Sequence, residues 1–144
     1  MRLKSKDFKD NSNIPSEFTC DGRDVSPQLS WEDVPDDTKS FALSVTDPDA
    51  PVGTWIHWLV HDIPKEVRSI EQNSVPKGAK QVENDWGRRE YGGPCPPSGT
   101  HRYIFTLYAL DTEHLEDVSK RTFFDKVNKH TLEKAVLKGL YKRK

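Results

Sequence analysis

The chain has 144 residues, 33% hydrophobic and 31% charged, with a formal net charge of −1. That length is one domain, 1–144, and its core must draw on aromatics: four Trp, six Phe and four Tyr. The near-neutral balance leaves no electrostatic footprint for nucleic acid; the basic cluster Lys142-Arg143-Lys144 reads as a solvated chain end.

The longest strongly apolar runs, 55–60 and 103–110, are far too short to cross a bilayer. Residues 1–7 lack the apolar stretch of a signal peptide, so the expected location is cytoplasmic.

Residues 1–17 are polar, with Phe8 and Ile14 as isolated anchors. An edge strand is expected near 3–8, then a loop. Asp21-Gly22 is a turn signal. Pro27 forces Ser26 away from helix, so 26–31 is a short extended piece. Residues 40–46 alternate, with Phe41, Leu43 and Val45 on one face of a strand. The next strand, 55–63, is ended by Pro64; Trp55, His57 and Leu59 share one face, and Ile56, Trp58 and Val60 the other. Residues 65–85 are polar and irregular, and Asn84-Asp85-Trp86-Gly87 reads as a turn carrying one buried aromatic. Segment 102–110 is apolar on both faces, which predicts a central strand covered on both sides.

The period then changes. Thr122-Phe123-Phe124-Asp125 fits a capping box with Asp in place of Glu. Helix is expected through Val127, interrupted near Asn128-Lys129, and resuming over 131–137, with Gly139 as its stop. Short strands followed by helix indicate a mainly β domain, an antiparallel β-sandwich with short C-terminal helices. Cys20 and Cys95 both fall in loops. Two free thiols are expected in a reducing cytosol; one bridge stapling the two loops is the alternative, and suits a hyperthermophile.

Two stretches carry the chemistry. Asp47-Pro48-Asp49-Ala50-Pro51 is a stiff loop that feeds Trp55-Ile56-His57. Gly92-Gly93-Pro94-Cys95-Pro96-Pro97-Ser98-Gly99 is another, feeding Thr100-His101-Arg102-Tyr103. If the two junctions meet, Asp47, Asp49, Trp55, His57, His101 and Tyr103 form one small polar recess. Imidazoles oriented by a carboxylate, with a tyrosine hydroxyl, suit a small oxyanion. Trp55 and Trp86 would add an aromatic wall for an attached cation. Each histidine could instead satisfy a buried carbonyl.

A metal site built from Asp47, His57, His61 and His101 is disfavoured. His57 and His61 are four apart in a strand, about 13 Å at β rise, so no metal or other cofactor is expected. Ser98 near His101 lacks a Gly-x-Ser-x-Gly elbow, so no catalytic residue and no enzyme activity is expected. Asp49 and Arg102 read equally as a structural ion pair and as solvated charges.

Those two stretches, together with Cys20-Asp21-Gly22, Ser26-Pro27-Gln28-Leu29-Ser30-Trp31 and Asn84-Asp85-Trp86-Gly87, resemble the phosphatidylethanolamine-binding protein family, also called Raf kinase inhibitor proteins, in its bacterial and archaeal branch. The resemblance runs from about Phe18 to the C-terminus. It implies an antiparallel β-sandwich and a shallow anion pocket using Asp47, Ala50, Pro51, Trp55, His57, Pro97, His101 and Tyr103, with Tyr141 as a further lining residue. It also implies binding and inhibition rather than catalysis. The ligand would be a small anion or phosphorylated ligand such as a phospholipid head group; the protein target would be a serine protease or kinase; the assembly would be a homodimer.

Overall fold

The computed structural model describes residues 1–143. In chain order these form β1 (Arg2–Lys4), β2 (Ser12–Asn13), a 3-10 turn (Ser16–Phe18), β3 (Leu29–Glu32), β4 (Ser40–Asp47), β5 (Trp55–Pro64), β6 (Ser69–Ile70), β7 (Lys80–Val82), β8 (His101–Leu110), α1 (Phe123–His130) and β9 (Thr131–Tyr141).

The alternation in 40–46 and the two-sided hydrophobicity of 102–110 place β4 and β8 in the middle of a six-stranded sheet, ordered β2-β9-β8-β4-β5-β7. A three-stranded sheet, β1-β3-β6, packs on one face of it. The pairings are antiparallel except β2 with β9.

Leu3, Leu29, Trp31 and Ile70 from the small sheet meet Phe41, Leu43, Val45, Trp58, Val60, Phe105 and Leu107 from the large one. Trp31 stands edge-on to Phe41 at 5.3 Å, and each fully buried side chain of this size contributes about 1.5–3 kcal/mol. On the opposite face Phe123 and Val127 of α1 cover Ala42, Leu59, Tyr108 and Leu110. That two-sided cover explains why β8 has apolar residues in both registers.

Several local expectations change. The N-terminal strand covers only Arg2–Lys4, and Phe8 reaches the core from a loop. Residues 65–85 contribute two short strands, β6 and β7. The helix continues unbroken to His130, and the Thr122 side chain makes no capping bond to it; it pairs with Ser119 instead, where Ser119 N–H donates to Thr122 Oγ1 at 3.0 Å.

The expected resumption of helix over 131–137 is overturned: Thr131–Tyr141 is a strand pairing with β8 along its whole length. Alternate residues Ala135, Leu137, Gly139 and Tyr141 are buried, while Leu132 and Val136, assigned to a helix face, are exposed. A ladder spanning all of β8 satisfies backbone groups that would otherwise face the core unpaired, and this outweighs a local helical pattern.

The cysteines are not free. Cys20 and Cys95 form a disulfide with Cα atoms 5.4 Å apart, across a sequence separation of 75. The proximity is built by neighbours: Cys20 N–H donates to Pro94 O at 3.1 Å, and the Tyr91 hydroxyl donates to Phe18 O at 2.8 Å. Two thiols held this close bridge wherever the surroundings allow oxidation.

Candidate functional site

β4 separates β5 from β8, so the C-terminal end of β4 lies between the N-terminal ends of its two neighbours. Asp47 is opposite Trp55 on one side, while Thr46 pairs with Ile104 on the other. The two loop-to-strand junctions therefore meet across Asp47, and three rings line up there. The His57 and Tyr103 rings meet edge-on at 5.3 Å. Those of Tyr103 and His101 stack at 6.5 Å with 22° between planes. His57, His101, Tyr103 and Asp47 are all buried.

A backbone irregularity aims His57. Val45 pairs with Trp58 and the next residue, Thr46, with Ile56, so His57 is an extra, unpaired residue in β5. A bulge of this kind re-aims a side chain. Leu59, assigned by alternation to the same face as His57, packs under α1. His57 instead turns to Tyr103 on the other face. Its unpaired carbonyl is satisfied from the 84–92 loop, accepting from Gly92 N–H at 3.0 Å and from Asn84 Nδ2 at 3.3 Å.

Both imidazoles are held by Nδ1. That of His57 donates to Gly92 O at 2.7 Å, and that of His101 donates to Asp47 Oδ2 at 2.7 Å. Asp47 Oδ1 accepts Asp49 N–H at 2.8 Å, which fixes the carboxylate and the loop after it. Burial holds the His57 imidazole below the usual histidine range, against the pull of the Gly92 carbonyl and of Asp47. Burial also drives the Tyr103 phenol well up, with Asp47 and Asp49 adding to the effect and the nearby Cys95 backbone N–H opposing it, so this hydroxyl keeps its proton. Among the described residues neither the Tyr103 hydroxyl nor the buried Trp55 indole N–H has a hydrogen-bond partner.

Asp49 and Arg102 form the ion pair. Arg102 Nε and Nη2 donate to the two carboxylate oxygens at 2.9 and 2.8 Å, and Arg102 N–H donates to Asp49 Oδ2 at 2.9 Å. The Arg102 side chain thereby holds the Asp49 carboxyl down at about 2.

The other expected residues are less central. Ala50 is half-buried and Pro51 exposed in the turn that Gly53 N–H closes onto Ala50 O at 3.0 Å. Pro97 is exposed and lines an adjoining cavity of about 550 Å³ with Ser98, Asp21, Tyr141 and Arg143. There the Tyr141 hydroxyl donates to Asp21 Oδ2 at 2.5 Å. Trp86, expected to be buried, is 40% exposed; its ring lies edge-on to His57 at 4.9 Å and to Trp55 at 5.6 Å. Ser98 makes no hydrogen bond with His101. His61 pairs instead with Asp62 at 2.7 Å, and His114 takes the other oxygen of that carboxylate at 3.1 Å. Among the described residues no group of three or more His, Cys, Asp or Glu is placed to hold a metal ion.

Sequence reasoning missed the groups that hold this arrangement. Asn84 is wholly buried. Its Oδ1 accepts from Trp86 N–H at 2.9 Å and Arg88 N–H at 3.2 Å, and its Nδ2 donates to Glu90 O at 2.9 Å. Asp24 Oδ1 accepts Gly93 N–H at 2.7 Å. Gly92 and Gly93 have no room for a Cβ: at Gly92 it would lie 2.4 Å from the Trp86 ring, and at Gly93 2.3 Å from Phe18 O. The Gly92-Gly93 pair and the Asn84-Asp85-Trp86-Gly87 turn were the available signals.

Residues 4–142 match the sequence profile described as phosphatidylethanolamine-binding protein. A UPF0098 protein of Aquifex aeolicus is 47% identical over 99% of this chain and 89% of its own length. Another, from Methanothermobacter thermautotrophicus, is 47% identical over 99% of both chains. The crystal structure of Escherichia coli YbcL, described as a new member of the mammalian PEBP family, superposes with a TM-score of 0.94 at 33% identity, over 99% of this chain and 98% of that one. The Chlamydia trachomatis homologue CT736 gives 0.92 at 36% identity, over 99% and 97%. The chain belongs to the phosphatidylethanolamine-binding protein family.

Proposed function

We propose that this protein is a non-catalytic binding protein whose recess at His57, Tyr103 and His101 takes a small oxyanion, inorganic phosphate or a phosphoryl head group. One observation carries the reading: Tyr103, whose buried hydroxyl has no geometric hydrogen-bond partner, packs its ring against two imidazoles whose Nδ1 atoms are already engaged. Buried donors are almost always paired; the Tyr103 hydroxyl and the Trp55 N–H are fully enclosed, and an oxygen-rich ligand that displaces the side chains around them would supply what they lack. Trp86 and Trp55 wall one side, suited to a choline- or ethanolamine-like cation carried by the phosphoryl group.

The test is a titration of phosphate and phosphoethanolamine by calorimetry or NMR, on wild type and His57→Ala. Wild type should bind and the variant much less. Equal binding by the two proteins, or none between about pH 5 and 8, rejects the reading.

A second reading rests on the loop beyond the disulfide. Residues 97–100 are exposed, and Cys95 anchors them through Cys20. A rigid exposed loop loses little entropy on docking, which suits a protein inhibitor of serine proteases or a kinase regulator. Inhibition assays against chymotrypsin-like and elastase-like enzymes decide this, and no inhibition at micromolar protein counts against it. The homodimer belongs to the same proposal and is read by light scattering. Among the described residues no helix is long and apolar enough to cross a membrane. The proposed cytoplasmic location is compatible with the disulfide in a hyperthermophile, whose intracellular proteins keep such bridges.

A further inference from the structure

β9 is 11 residues long, yet only its C-terminal part is paired on both sides. β8 covers one edge from Thr131 to Tyr141. On the other edge β2 meets only Gly139 and Leu140. Just before them, Lys138 N–H donates to Asp10 Oδ1 at 2.8 Å, and Lys138 O accepts from Asn11 N–H at 2.7 Å. The main-chain groups of Lys138 therefore face away from β8. In an antiparallel ladder that direction repeats at every second residue. The N–H and C=O of Val136 and Lys134 face outward in the same way, and among the described residues nothing bonds them. β1, which lies against β9, pairs with β3 instead. An open row of this kind is a template for another strand.

The side chains along the row favour one kind of partner. Val136 is 50% exposed and Leu132 42%, two of the four large hydrophobics exposed among the described residues. A groove of about 510 Å³ runs between β9 and β1, with Arg2, Lys4, Asp10, Glu32, Lys134 and Val136 in its lining. The acids there are engaged. Glu32 pairs with Arg2 and Lys4, Asp10 holds the Lys138 N–H, and Glu133 pairs with the N-terminal amine. Lys134 and Lys138 flank Val136 on one face of the strand, and neither makes an ion pair among the described residues. Two copies of this chain joined along the row would bring four such lysines to one seam. Like charges across a strand pair oppose pairing, and edge lysines guard against self-association.

We propose that the outer edge of β9, residues 131–137, docks an extended acidic segment of a partner protein as an added strand. Main-chain bonds to Lys134 and Val136 hold the segment. An acidic side chain opposite Lys134 supplies the missing charge, and an aliphatic one covers Val136. Lys134 is opposite Tyr108, whereas His101 is opposite Tyr141, so the surface lies toward the other end of β8 from the recess. Its test does not depend on the anion reading.

The experiment is proton–nitrogen NMR of the full chain with acetyl-Thr-Val-Thr-Glu-Thr-Val-Thr-amide, and with the same peptide carrying Lys in place of Glu, each up to millimolar concentration. The acidic peptide should shift the Lys134 and Val136 amide signals saturably and slow their exchange with solvent. The lysine peptide should bind at least about threefold more weakly, in line with the strength of cross-strand charge pairs. Lys134→Glu changes an exposed side chain and should reverse that preference. Val136→Pro removes one outward donor at an edge position whose N–H faces solvent, where proline is tolerated, and should weaken the acidic peptide by about fivefold or more, the worth of one net hydrogen bond. If the proline variant does not fold, the Lys134→Glu reversal decides. Equal binding of the two peptides, shifts confined to other residues, or no shift at millimolar peptide overturns the proposal. So does a concentration-dependent shift of the same amides in the protein alone, which assigns the edge to a second copy of the chain.

Discussion

Removing the Cys20–Cys95 bridge should destabilise the protein strongly while leaving its native structure almost unchanged. The bridge closes a loop across a sequence separation of 75. In the chain-entropy treatment, freeing a loop of that length raises the entropy of the unfolded chain enough to cost about 4.5 kcal/mol at 25 °C. That is a large part of the roughly 5–15 kcal/mol by which a domain of this size is stable. The native state needs the bond much less. Cys20 N–H to Pro94 O, Gly93 N–H to Asp24 and the Tyr91 hydroxyl to Phe18 O all join the same two segments. The effect therefore acts through the unfolded state. Oxidised wild type and Cys20→Ala/Cys95→Ala should be compared by guanidinium unfolding. The variant should lose about 3–4.5 kcal/mol and show a steeper denaturant slope, because its unfolded chain exposes more surface. Its near-ultraviolet spectrum should remain native. A loss below about 1 kcal/mol, or loss of native tertiary signal in the variant, refutes this reasoning.

Three further outcomes are expected. Asn84→Ala strands two N–H groups and one carbonyl in the 84–90 loop; with about 1 kcal/mol per bond and partial rescue by water, it should cost about 2–3 kcal/mol, measurable by thermal unfolding, and should shift Trp86 fluorescence. The Asp49 carboxyl sits at about 2 in the folded chain against 3.8 when free. Its stabilisation is therefore complete above about pH 4 and is lost as pH falls through 2; Asp49→Asn should remove up to about 1 kcal/mol at neutral pH and flatten the acid limb of the stability curve. His57 is depressed in the folded state, so the unfolded chain binds the proton more readily. Stability should fall as pH drops below 6.5, and proton–nitrogen NMR should show neutral His57 with its proton on Nδ1 still present there. A His57 imidazolium at pH 6.5 would contradict the burial argument.

The central sheet was readable because β4 and β8 carry simple patterns, single alternation and two-sided apolarity, that only a strand with defined neighbours satisfies. The meeting of the two histidine junctions was readable for a similar reason: stiff proline loops end where strands begin, and long antiparallel strands bring such ends together. β9 was not. Leu132, Ala135, Val136 and Leu140 satisfy a helical repeat, while Ala135, Leu137, Gly139 and Tyr141 satisfy a strand repeat. The exposed strand edge of β8 chooses between them, and that edge is a tertiary fact. The disulfide was open in the same sense: loop cysteines have no local signature of partnership, and their distance is set by contacts around Phe18 and Pro94.

The bulge at His57 shows most directly how the fold makes the site. Strict alternation would put His57 beside Leu59, under α1. Skipping one pairing moves the ring to the other face, at the cost of a free backbone carbonyl. Gly92 N–H meets that carbonyl, and Gly92 O receives the His57 side chain in return. One peptide segment thus repairs the backbone and fixes the tautomer together. A carbonyl cannot exchange acceptor for donor as a carboxylate does when protonated, so the polarity of the His57 edge follows from the main chain and persists whatever happens at Asp47. His101 depends on a titratable group and His57 does not. Asp47→Ala should therefore loosen the His101 ring while leaving the His57 bond to Gly92 in place, and two-dimensional NMR of the two rings should show that difference.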